Sequence, residues 1–181
     1  MTTNNTELEF IGRFLKLNPA VVVCLQEDLS KMKIQKSRAN YIVNYGNTSN
    51  GGTHWVALKV YNSQACFFDS FGLPPDSDIE SFVQGGTCKL GYSTFQIQNI
   101  NSSLCGWFCV SFLKYVDTLI EKRRMSIWAA SNAFINEFDK DTDLNAGILR
   151  GAKFFGGWLK NKMKQFPSSL YNVLHEKIVY D

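Results

Sequence analysis

Leu8, Ile11 and Leu15 recur at helical spacing, and Thr6 followed by Glu9 has the form of a capping box, so residues 7–16 are predicted as an amphipathic helix. Asn18-Pro19 ends it. The run Val21-Val22-Val23-Cys24-Leu25 fits a strand or a buried helix equally, whereas residues 40–45, NYIVNY, have the aromatic and β-branched character of a strand. The turn-forming string GNTSNGG at 46–52 leads into HWVALKVY, whose alternation predicts a strand that opens on His54. After Asn62-Ser63-Gln64, ACFFDSFG predicts the second strand of a hairpin, ending near Asp69, with Pro74-Pro75 barring continuation. A two-residue closing loop would pair 58 with 69 and set Asp69 on the face of His54, and a three-residue loop would oppose them.

Beyond a loop containing Gly85-Gly86, residues 92–100 alternate as a third strand, and Asn101-Ser102-Ser103 offers caps for a helix carrying Cys105. Its apolar residues fall at 105, 108, 109, 112, 116, 119 and 120, and Lys122, Arg123 and Arg124 place positive charge near its end. Residues 127–138 and 144–166 are predicted as further helices, and Pro167 introduces a tail ending in the helix-like LYNVLHEKIV. No repeat, low-complexity stretch or linker divides the chain, so 1–181 is expected to form a single domain.

Composition agrees with a globular protein: 181 residues, 45% apolar, with 14 Phe and 4 Trp. The first twenty residues carry Glu7, Glu9 and Arg13 and lack the basic start and apolar core of a signal peptide, so secretion is not expected. No apolar run approaches the roughly 20 residues of a membrane span, and GAKFFGGWL is broken by Lys153, so no membrane association is expected. Five cysteines, at 24, 66, 88, 105 and 109, lack CxxC or Cys/His ligand spacing, which argues against a disulfide framework or a metal site and for a reducing compartment. The net charge of +3 is small, but Lys31, Lys33, Lys36 and Arg38, and later Arg150, Lys153, Lys160, Lys162 and Lys164, form clusters that would favour nucleic acid weakly. Such clusters are more often solvated faces.

Cys105 carries the candidate chemistry. A thiol is a nucleophile as thiolate, and a helix N-terminus with an imidazolium neighbour favours that form. A free cysteine is more often a small buried hydrophobe, an acid at a strand end more often makes Asx-type hydrogen bonds, and a lone Gln98 would be a surface strand residue. Taken singly, none of Cys105, His54, Asp69 and Gln98 is specific; the pattern they make together carries a family resemblance.

The strings GGTHW, FFDSFG and QNINSSLCGWFC resemble, in order and spacing, the His, acid, Gln and Cys blocks of the adenovirus maturation protease family, the adenain-like cysteine proteases. The likeness extends through SRANYIVNYGNTSNGGTHWVAL and covers residues 6–116, and beyond 116 nothing aligns. It implies a nucleophilic Cys105, a general base in His54, an orienting acid in Asp69 and an oxyanion donor in Gln98. Trp55, with Gly52 and Gly106, would line a narrow substrate channel. The adenoviral enzymes have Glu where this chain has Asp69, and ubiquitin-like-modifier proteases have Asp, which places the chain as a diverged relative of the kind a virophage or Polinton-like element would carry.

The resemblance further implies an α+β fold of the papain-like, circularly permuted kind, a central mixed sheet flanked by helices. The implied activity is processing of viral capsid or core precursor proteins after Gly-containing sites during virion maturation, in the virion and infected cell. No cofactor is required by the chemistry, but the family pattern implies an activating peptide attached at Cys88 and DNA as a further cofactor. Two alternatives stand beside it: a deubiquitinase-like or deSUMOylase-like protease, and a non-enzymatic capsid or nucleic-acid-binding protein.

Overall fold

The computed structural model describes residues 3–45, 54–98 and 103–138. The predicted loop 46–52 with Gly52, the caps Asn101 and Ser102, the helix at 144–166, the tail and the basic residues from Arg150 onward lie outside the described residues.

Helix α1, Asn5–Phe14, starts two residues before its predicted position. Asn4, not Thr6, is the N-cap: its Oδ1 accepts from Glu7 N at 2.9 Å while Glu7 Oε2 accepts from Asn4 N at 3.0 Å. Both frames place an acid three residues after a capping side chain. Asparagine is the stronger cap of the two, and this frame buries Leu8 and Ile11.

The ambiguous apolar run is strand β1, Val21–Leu25, followed by a 3-10 helix at Gln26–Lys31. Strands β2 (Arg38–Tyr45), β3 (His54–Tyr61) and β4 (Gln64–Phe68) form an antiparallel meander, and β1 and β5 (Lys89–Tyr92) add in parallel at its two edges. The fold is therefore α+β, built on a mixed five-stranded sheet in the order β1-β2-β3-β4-β5. Helix α2, Ser77–Gly85, and the 3-10 helix cover one face, over Val56, Leu58, Val60, Ala65 and Phe67. Helices α3, Cys105–Arg123, and α4, Ile127–Asn136, cover the other with α1. Aromatic stacking fixes that second core: Phe68 lies flat on Phe112 at 4.5 Å, and Phe134 meets both edge-on. Among the described residues no helix is long and apolar enough to cross a membrane.

Two predicted details need correction. The hairpin loop is Asn62-Ser63, both residues at positive φ as a type I′ turn requires, so Tyr61 pairs with Gln64 and Leu58 with Phe67 rather than with Asp69. Carried one step past the last pair, Ala57 with Phe68, this register sets Asp69 opposite Val56, which keeps it on the face of His54. The predicted strand at 92–100 is instead the short β5 followed by an irregular stretch over 93–98. The amides of Ile97 and Gln98 both donate to the Ser70 carbonyl, at 3.0 and 2.9 Å, so these residues are pinned to the loop after β4 and not to a ladder. The alternation of apolar and polar residue types over 92–98 imitates a strand, but Ile97 and Gln98 are both buried.

A polar cluster crosses the sheet–helix boundary. Lys59, fully buried on β3, donates to Asn40 Oδ1 at 2.7 Å and pairs with Asp117 of α3. Arg38 pairs with the same carboxylate at 3.2 Å and also with Glu121. Arg38 is thereby committed to an internal network, and Lys31 is paired with Asp28, so the predicted basic cluster is partly neutralised.

Candidate active site

Each functional side chain comes from the end of an element. His54 opens β3, Asp69 follows β4, and Cys105 is the first residue of α3, whose N-cap is Leu104 with no side-chain cap. A helix begun this way leaves its first-turn N–H groups without intrahelical acceptors, next to the thiol. The thiol comes from the face covered by α3 and the imidazole from the α2 side, and they meet at the end of the sheet.

His54 Nε2 donates to Asp69 Oδ2 over 3.0 Å. The other carboxylate oxygen, Oδ1, accepts from Phe71 N at 2.7 Å. The Asx-type bond and the histidine contact are thus not alternatives, since each takes one oxygen. Phe71 folds back over the imidazole, ring centroids 4.8 Å apart, and Tyr45 meets it edge-on at 6.2 Å. Nδ1 is buried without a partner of ordinary hydrogen-bond geometry, and Cys105 is the group that interacts with the ring beyond Asp69. Burial disfavours the imidazolium, but the bond to Asp69 and the interaction with Cys105 outweigh it and lift the His54 pKa to about 9.

This shift has a consequence for stability. The folded ring binds its proton more tightly than the unfolded one, whose pKa is near 6.5, so the contribution is fully present below that pH and lost as pH rises through about 9. The melting temperature of the wild type is expected to fall more steeply between those limits than that of His54→Gln. Parallel curves would show that the ring is not held as a cation.

Gln98 is brought to the same place by the irregular stretch. Its Oε1 accepts from Ser70 Oγ at 2.6 Å, and Ser70 directly follows Asp69. Ser70, Phe71 and Tyr45 were not singled out from sequence. Only the adjacency of Ser70 and Phe71 to Asp69 hinted at them.

The remaining predicted residues fall as follows. Trp55 is buried, its indole N–H donating to the Thr3 carbonyl at 2.9 Å. Gly106 is bare because Thr3 approaches it: a Cβ there would stand 2.0 Å from Thr3 Oγ1. Cys109, one turn after Cys105, is buried and its thiol donates to the Trp55 carbonyl at 3.3 Å. Cys88 is buried in the core on the α2 face, across the sheet from Cys105, with its thiol toward the Gly86 carbonyl and its pKa raised by burial. Gly52 lies outside the described residues. No cluster of three metal-ligating side chains occurs among the described residues.

No protein-family model matches the chain. Over 130 residues it is 28% identical to a protease of Bovine adenovirus B serotype 3, and over 129 residues 28% identical to a protease of Bovine adenovirus 2. The chain is similar to adenoviral proteases. The matches take in 62% of this chain in each case, and 64% and 62% of the two relatives, so under two thirds of their length is spanned.

Proposed function

We propose that the chain is a cysteine endopeptidase of the adenoviral kind. The observation that supports this best is the His54 ring, clamped by Asp69 at Nε2, with its second nitrogen left for the thiol at the head of α3. In the reaction, the Cys105 thiolate attacks the scissile carbonyl carbon and the electron pair moves to the carbonyl oxygen. The imidazolium of His54 then protonates the departing amine. Water, deprotonated by His54, releases the acyl group and restores the thiol. Asp69 holds the ring in the orientation both transfers need.

Gln98 and the Cys105 N–H stabilise the oxyanion. With the Gln98 carbonyl oxygen held by Ser70, the donor end of the side chain is its amide nitrogen, the end an oxyanion requires. Gln98→Ala is expected to lower kcat by roughly 10²–10³ with alkylation of Cys105 nearly unchanged, because the donor acts on the tetrahedral intermediate and not on the thiolate. Equal loss of both would make Gln98 a structural residue.

In this reading the fold is papain-like and circularly permuted, with the thiol on a helix and the imidazole on a sheet, and the protein is a diverged relative of the adenoviral enzymes. Its substrates are viral capsid or core precursor proteins cut after Gly-containing sites during virion maturation, in the virion and infected cell. The matching GGTHW, FFDSFG and LCGWFC strings support this.

The test pairs peptides bearing Gly-containing junctions, and their Gly→Val counterparts, with a panel of ubiquitin-like fusions. Cleavage of the glycine peptides alone is expected. Preferential release of ubiquitin-like proteins would move the chain to the deubiquitinase-like class, and absence of both turnover and electrophile labelling at Cys105 would remove it from the enzymes.

A further inference from the structure

Thr3 stands just before the capping box of α1, and its burial is nearly complete, 3% exposed. Its carbonyl accepts the indole N–H of Trp55, the residue after His54. Its side chain fills the space over Gly106, the residue after Cys105, where a Cβ would lie 2.0 Å from Thr3 Oγ1 and 3.3 Å from Thr3 Cβ. Trp55 in turn accepts the Cys109 thiol through its carbonyl, so β3 and α3 are also joined one turn deeper. One residue of the N-terminal segment therefore touches both elements that carry the thiol and the imidazole, at the position adjacent to each.

The pose of Thr3 is not a local preference. Thr3 Oγ1 is buried without a hydrogen-bond partner, a costly state for a hydroxyl. It is retained because the backbone around it is fixed on both sides: by the Asn4–Glu7 capping box with Leu8 and Ile11 in the core, and by the bond from Trp55. A contact held this way can set a distance between the elements it joins.

We infer that Thr3 is a positioning residue that fixes the spacing of His54 and Cys105 by wedging between Trp55 and Gly106. The inference rests on the proteolytic reading above for its effect on turnover, but not for its effect on the thiol. An ångström of displacement at such a pair is enough to cost up to about 10²-fold in rate.

The experiment is a double-mutant cycle on the full chain. Gly106→Ala places a methyl where Thr3 Oγ1 stands and must drive Thr3 off. Thr3→Gly removes the obstructing atoms, and the nearest contact left is the end of the Leu8 side chain at 3.1 Å. Three quantities are read for each protein: the pH profile of Cys105 alkylation by iodoacetamide, kcat and KM on a glycine-junction peptide, and the melting temperature. Gly106→Ala, which displaces the wedge, and Thr3→Gly, which removes it, are each expected to shift the alkylation profile and lower kcat about tenfold or more with KM little changed. The two together, with the Ala methyl refilling the space, are expected to restore most of both. If Gly106→Ala does not fold, recovery of a cooperative melt and a near-wild-type alkylation profile in the double variant supports the same coupling.

The inference is overturned if the double variant is no better than Gly106→Ala in profile, rate or melt. It is equally overturned if Gly106→Ala alone, or Thr3→Gly alone, keeps the wild-type alkylation profile. Were no peptide cleaved by any variant, the proteolytic reading would fail while the alkylation profiles still decided the coupling.

Discussion

Replacement of Cys105 by alanine is expected to reduce peptide hydrolysis to background, a loss of about 10⁵-fold or more in kcat, since a missing nucleophile removes the covalent path entirely. The fold should survive. The substitution deletes one sulfur at the first residue of α3, where no backbone bond depends on the side chain, and a Cβ is already accommodated. Cys105 and Cys109 are both buried, but Cys109 lies one turn deeper and donates to the Trp55 carbonyl. Cys109→Ala should lower the melting temperature more than Cys105→Ala and leave a reactive Cys105.

The two cysteines differ in environment despite sharing a helix face. Burial raises the Cys109 thiol well above its ordinary range and pushes Cys24 and Cys66 up to about 11, so these remain thiols near neutral pH. Only Cys105 interacts with His54. Mass spectrometry after brief iodoacetamide treatment should find the label at Cys105 first. Full hydrolytic activity in Cys105→Ala would sink the assignment of the nucleophile.

Asp117→Ala is expected to give a large stability loss, about 3–5 kcal/mol, or a fall of roughly 6–20 °C in melting temperature. The cause is what the substitution leaves behind. Lys59 is fully buried, and burial pushes its pKa down against the pull of Asp117. Without that carboxylate the ammonium keeps one hydrogen bond, to Asn40 Oδ1, and the weaker pull of Glu121, in a site also facing the Arg38 guanidinium. The charge must then be neutralised or exposed, and either costs several kcal/mol. Asp117→Ala combined with Lys59→Met should recover most of the loss, because an apolar side chain of similar length removes the orphaned charge. A single variant within about 1 kcal/mol of wild type would show the network to be energetically idle.

The sequence was most legible where local and tertiary demands agree. The β3–β4 hairpin follows from alternation either side of turn formers, and α3 from 3.6-residue periodicity over 19 residues. Where several frames satisfied the same local rule, cap strength or tertiary packing chose. Asn4 displaced Thr6 as the stronger capping side chain, and β1 became a strand because β2 offered it an edge. The stretch 93–98 misled because the alternation of Phe95 and Ile97 with polar residues is a pattern of residue type alone: in the structure Ile97 and Gln98 are both buried, held by the Ser70 carbonyl.

At the site, Cys105 and His54 stand out by residue type and position, while Asp69 and Gln98 gain roles only through the resemblance to the adenoviral blocks; the structure brings His54, Asp69, Gln98 and Cys105 to one end of the sheet. Ser70, Phe71 and Thr3 were not legible, since their contacts depend on segments far apart in the chain. The resemblance implies channel roles for Trp55 and Gly106, and in the structure both also meet Thr3.

The turn at Asn62-Ser63 lies at the opposite end of the hairpin from His54, yet it decides where Asp69 points. Many residue pairs able to adopt left-handed backbone would serve there, Asn-Gly among the best. Its length has no such latitude. One residue more would leave a hairpin with a different count across it, rotate the carboxylate to the far side of the sheet and strand the imidazole beside Val56. A remote loop thus acts as the protractor of the site: in drift or in redesign its letters are free to change, while its count is not.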